Sequence, residues 1–179
     1  MQDRLLKVLP EIALIKDDAL REKVVATFLH ALECGGYCPD DIASMPFTLL
    51  VAPCPATMAQ HIRGVTLASI GIADAFSKVY EGNAKMKVNR DTLIAGALLH
   101  DVGKFLEIER TENGKFAKSA SGKMLRHPMS GAAVAFSQGL PDEVLHIIAC
   151  HAKEGDGIRA TTEAIIVHHA DFANFEPLR

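Results

Sequence analysis

No stretch of the chain is apolar for long enough to cross a bilayer, and the amino terminus, Met1-Gln2-Asp3-Arg4, lacks a basic region followed by a continuous apolar segment. The expectation is a soluble, cytoplasmic protein. Cysteine is scarce too: Cys34, Cys38, Cys54 and Cys150 are too few and too unevenly placed to staple a secreted scaffold, and they fit reduced thiols. Positive charge is not in excess. With 19 Lys and Arg against 22 Asp and Glu the net charge is −3, so the chain has no electrostatic footprint for a long phosphate backbone. A nucleic-acid role would need a local basic patch or another subunit, and the balance favours a small substrate. Internal repeats, low-complexity tracts and long linkers are absent as well.

What the chain does have is 179 residues, 49% of them hydrophobic, enough to bury the core of one domain. The expected organisation is a single unit over 1–179, with residues 1–55 as a helical extension of a core spanning 56–175. Apolar residues recur at helical spacing: Leu20, Val24, Phe28 and Leu32 form one stripe, and Val65, Ala68, Ile72 and Phe76 another that begins one turn after His61. Between them, Gly35-Gly36-Tyr37 and then Pro39, Pro46, Pro53 and Pro55 mark a connecting segment that holds a short helix at most. A further helix is expected from a cap at Asp91 through Leu93, Ala97 and Leu98, broken by Gly103. Asn113-Gly114 suits a tight hairpin turn, Pro128 and Pro141 suit helix starts, and a last helix covers Thr161 to about Phe172. The fold class read from this pattern is all-α, a helical bundle with a small β-hairpin after the His-Asp pair.

The chemistry is concentrated in Leu98-Leu99-His100-Asp101-Val102-Gly103-Lys104 and in the histidines around it. His61, His100, Asp101, His127, His151 and Asp171 offer neutral imidazole and carboxylate donors, a set that suits Fe, Mn, Co, Ni or Zn in one or two ions rather than an all-oxygen Mg or Ca site. Asp101 has two oxygens where the adjacent imidazole binds one ion only, so it is the best candidate to bridge a pair of cations. A binuclear centre of that kind, about 3.5–4 Å across, suits hydrolysis of a phosphate ester.

The order His…His-Asp…His…His…Asp over residues 61–175 resembles the HD superfamily of metal-dependent phosphohydrolases. The resemblance is carried by His61-Ile62-Arg63-Gly64-Val65, His100-Asp101-Val102-Gly103-Lys104, His127-Pro128-Met129-Ser130-Gly131, Ala149-Cys150-His151 and Ala170-Asp171. It implies an all-helical core around the metals. It also implies a first site of His61, His100, Asp101 and Asp171, and a second of His127 and His151 with Asp101 bridging. Lys104, one helical turn beyond Asp101, would neutralise a substrate phosphate, with Asp101 orienting the nucleophile. The implied reaction is hydrolysis of a phosphate ester or anhydride, a phosphodiester included, in a small nucleotide-like molecule.

The run Glu163 to Asp171 is similar to the closing helix of HD-type exoribonucleases, yet no KH or OB domain accompanies it, so RNA binding is not supported. Cys150-His151 stands where HD-GYP phosphodiesterases pair two histidines, and no Gly-Tyr-Pro follows. The same ligand set also resembles the mixed-valent di-iron oxygenases of the superfamily, and a non-catalytic ligand-binding HD domain is a further alternative. His168 shares a helix face with Asp171, which places it beside the ligands or the substrate. His30 and His146 fall outside the series and are read as packing residues, as is the Cys150 thiol. Oligomeric state is not written in the pattern.

Overall fold

The computed structural model describes residues 1–178. Its first third is a helical cap: α1 (Gln2–Val8), a 3-10 turn (Pro10–Leu14), α2 (Asp18–Gly35) and a second 3-10 turn (Pro39–Ala43). The body follows with α3 (Met58–Val79), α4 (Arg90–Leu99), α5 (Lys104–Glu107), the hairpin β1 (Ile108–Arg110) and β2 (Phe116–Lys118), α6 (Ala120–Met124), α7 (His127–Ser137), α8 (Asp142–Cys150) and α9 (Thr162–Phe175). The protein is all-α with one small antiparallel β-ribbon. No helix among the described residues is long and apolar enough to cross a membrane.

The long helices start where side chains can satisfy their free N–H groups. Asp17 caps α2 through Leu20 N–H, Thr57 and Gln60 close a capping box on α3, and Thr161 caps α9 through Ala164 N–H. The start of α4 corrects the sequence reading: Asn89 is its cap, accepting from Thr92 N–H. Asp91 instead accepts from the main-chain N–H groups of Lys16 and Asp17, at 3.0 and 2.9 Å, and so ties the cap segment to the body.

Helix α4 is the axis of the molecule. It packs against α2, α3, α8 and α9, and it is buried from Thr92 to Leu99. One of its faces, with Ile94, Ala95, Leu98 and Leu99, joins Leu5, Ile12, Phe28, Ile42 and Ile62 in the larger apolar core. The other, with Leu93 and Ala97, packs with Val65, Ile147, Val167 and Ala170 in a second cluster. A helix apolar all round has no solvent face, so the residues at its C-terminal end, His100 and Asp101, are delivered to the interior.

Gly103 lies in the turn between α4 and α5 with a φ of −66°, in the right-handed helical region. It is needed for close approach: a Cβ there would lie 2.1 Å from the carbonyl oxygen of His127. In the hairpin, Gly114 alone takes positive φ, at 72°, and Thr111 N–H bonds Lys115 O. The loop is therefore three residues, Glu112-Asn113-Gly114, with the left-handed glycine last, rather than a two-residue Asn-Gly turn.

Candidate metal centre

Helix ends supply most of the centre. His100 follows the last residue of α4, His151 follows the last of α8, and His127 is the first residue of α7. His61 and Asp171 come from within α3 and α9. The six predicted residues all meet. Asp101 lies between two groups: its Oδ2 is 3.3 Å from His61 Nε2 and 3.4 Å from His100 Nε2, while Oδ1 is 3.3 Å from His127 Nε2 and 3.6 Å from His151 Nε2. Asp171 Oδ1 joins the first group, 3.1 Å from His61 Nε2 and 3.9 Å from His100 Nε2.

Tautomers follow from the acceptors behind each ring. His100 Nδ1 is 2.7 Å from Ala97 O and His151 Nδ1 is 2.8 Å from Ile148 O; a carbonyl only accepts, so each Nδ1 carries the proton. Their Nε2 lone pairs then face inward. His127 Nδ1 is 2.8 Å from Glu107 Oε2, which fixes the same arrangement there. Yet His100 Nε2 lies 3.3 Å from His61 Nε2, and His127 Nε2 lies 3.2 Å from His151 Nε2. Buried lone pairs converging with carboxylate oxygens at such distances repel unless a cation stands among them. The donor set therefore fits divalent cations, with His61, His100 and Asp101 forming one cluster of potential ligands and Asp101, His127 and His151 another.

The electrostatics agree with ionised carboxylates and with a neutral ring at His127. Burial pushes the Asp101 carboxyl up, but the Lys104 ammonium and the neighbouring imidazoles outweigh it and hold the group well below the usual carboxylate range. Burial also opposes the shift of Asp171, and the bond to His61 wins, leaving its pKa at about 2. At His127 burial prevails over the pull of Glu107 and takes the imidazole down to about 4, so it is neutral at pH 7. At His61 burial is overcome by Asp101 and Asp171, and the shift is upward.

Lys104 Nζ sits 2.6 Å from Asp101 Oδ2 and opens onto a cleft of about 260 Å³. Phe47, Leu49, Leu50, Phe172 and Phe175 contribute apolar lining to the cleft, and Lys118, Arg126 and Lys153 contribute cations. His168 contacts the main chain of the centre, its Nδ1 2.6 Å from His151 O, and its ring packs on Phe172.

Sequence reasoning missed three contributors. Phe47, inside the segment read as a connection, stacks on His61 with ring centroids 4.3 Å apart. Arg159 donates to Cys150 O and Ala152 O, holding the turn that carries His151. Glu107, which lies outside every motif named above, buries its carboxylate against His127. The rule that a ligating histidine gives its second nitrogen to a carboxylate or carbonyl was the signal available for it.

The sequence model of the HD domain matches residues 58–172, which contain every residue of the centre. The chain belongs to the HD domain family. This HD domain protein is also 32% identical, over 96% of its length and 68% of the relative's, to the dihydroneopterin 2',3'-cyclic phosphate phosphodiesterase of Methanocaldococcus jannaschii. No solved structure gives a significant match. HD domains bind divalent metals, and this one is a metal-dependent phosphohydrolase.

Proposed function

We propose that this HD domain protein hydrolyses a phosphodiester, a cyclic phosphate of a small nucleotide-like molecule, with two divalent transition-metal ions. The observation that carries the reading is the division of Asp101, whose two oxygens face two separate histidine pairs. His61, His100 and Asp171 would complete one ion's shell, and His127 and His151 the other's. When bound, the ions supply Lewis acidity and lower the pKa of water at the site.

The protein's own groups do the rest. Asp101 and Asp171 stay ionised at neutral pH, so both remain available as acceptors for a proton or a hydrogen bond from an attacking water. Lys104 places an ammonium in the lining of the cleft beside Asp101, where it would face negative charge growing on a phosphoryl oxygen. Phe172, Phe175 and the exposed Leu50 offer apolar surface in the cleft to a flat ring such as a pterin or a nucleobase. The name of the archaeal relative supports the same class of substrate.

The test is hydrolysis of dihydroneopterin 2',3'-cyclic phosphate and of nucleoside 2',3'-cyclic phosphates in oxygen-18-labelled water. Label in the phosphomonoester produced is expected, together with loss of both ions by elemental analysis in Asp101→Ala. Turnover that consumes dioxygen and places its label in the product would overturn hydrolysis. Full metal content in the variant would overturn the bridge.

A further inference from the structure

A histidine at the start of a helix has an orientation problem that one at the end does not. Helix C-termini present unpaired carbonyls, and both His100 and His151 use one three residues back to hold their Nδ1 protons. His127 opens α7, where the helix presents N–H donors only, and its cap residue Arg126 makes no side-chain capping bond. An acceptor must therefore come from elsewhere in the chain. Glu107, twenty residues earlier, supplies it: a single oxygen, Oε2, lies 2.7 Å from His127 N and 2.8 Å from His127 Nδ1.

We propose that Glu107 is a positioning residue for the second ion, accepting from the main-chain N–H and the imidazole Nδ1–H of His127 so that the Nε2 lone pair is held toward Asp101 and His151. The inference rests on the reading that His127 and His151 ligate that ion. Glu107 is itself held from several sides. It is 8% exposed, its carbonyl accepts from Ser119 N–H at 2.9 Å, and α6 passes so close that a Cβ on Gly122 would lie 2.2 Å from that carbonyl oxygen. Its other carboxylate oxygen, Oε1, lies 3.6 Å from Lys118 Nζ, a cation of the cleft. The β-ribbon and α6 thus brace one carboxylate, and that carboxylate sets one ring.

A role confined to capping α7 would leave the ring's tautomer free, which separates the two explanations. Nitrogen-15 NMR of the metal-free wild-type protein is expected to show His127 protonated at Nδ1; protonation at Nε2 overturns the proposal without any variant. Glu107→Met keeps side-chain volume and removes the acceptor. It is expected to mix the tautomers and to weaken uptake of the second Mn²⁺ by about 10- to 100-fold in a metal titration, with the first ion's affinity within about twofold. Glu107→Gln, which keeps an acceptor oxygen, is expected to retain the Nδ1–H tautomer and to recover most of that affinity. Equal weakening of both ions in Glu107→Met, or an unchanged second ion, refutes the assignment. A wild-type protein that takes up only one ion instead overturns the two-ion reading, and the tautomer measurement then decides the role of Glu107 alone.

Discussion

Gly103→Ala is the sharpest probe of how the centre is assembled. The backbone at 103 is in an ordinary helical conformation, so alanine adds no dihedral strain, and the whole effect is steric. The new methyl would stand 2.1 Å from His127 O, 2.6 Å from Gly131 N and 2.7 Å from Ser130 Oγ. Two of these atoms belong to the backbone of α7, which cannot rotate away as a side chain can. Ordinary contact begins at 3.4 Å, so the first turn of α7 must retreat by about 1.3 Å. Overpacking of this kind costs about 1–3 kcal/mol, and backbone neighbours put this site at the upper end, near 3 kcal/mol. His127 rides on the displaced turn, and a misplacement of about 1 Å at a catalytic group lowers turnover by about 100-fold. Urea denaturation of the metal-free protein reads the first number, and kcat/KM on a cyclic phosphodiester reads the second. A variant within about 0.5 kcal/mol of wild type with unchanged kcat/KM would refute the claim that this contact sets the position of α7.

Lys104→Met should keep both ions by elemental analysis while kcat falls by about 100- to 1,000-fold, the usual loss when a group facing transition-state charge is removed. Adding Mn²⁺ at 100 times its dissociation constant should stabilise the metal-free protein by about 2.7 kcal/mol for each ion bound, about 5.4 kcal/mol for two, in denaturant titrations, and Asp101→Ala should remove that gain. Asp41 gives a pH-dependent stability contribution away from the centre: it accepts from Cys38 N–H and from Arg110, and these contacts, against an opposing burial effect, lower its pKa. A lowered folded pKa means stability that is present above the unfolded value of about 3.9 and lost as pH falls through the folded one. Asp41→Ala should therefore cost about 1 kcal/mol at pH 7, with the gap to wild type closing below about pH 4 in urea titrations.

The candidate ligands were legible as a set because each of the six sits in a short motif, and the structure brings their side chains together. The helices α2, α3, α4 and α9 were legible from their apolar spacing, and Pro128 and Pro141 stand at the starts of α7 and α8. What escaped depends on contacts between distant residues. Asp91 and Asn89 have nearly equal capping preference, and only the proximity of Lys16 and Asp17 assigns Asp91 elsewhere. The short helices α1 and α6 have too few residues to show a period. Phe47 was concealed by the prolines around it, although a bridge between Pro46 and Thr57 closes that segment and Met58 N–H bonds Met45 O across its base. Glu107 was concealed because its role is defined by His127, which no local pattern connects to it.

The two ways of orienting a histidine differ in how much of the fold they require. His100 and His151 borrow carbonyls three residues away, so their rings are set as soon as α4 and α8 form. The orientation of His127 depends on the ribbon and α6, because its acceptor reaches it only through tertiary structure. Any attempt to transplant the centre into another helical scaffold would carry His100 and His151 across intact with their helices, and would lose His127 unless Glu107 and the segment that braces it travelled too.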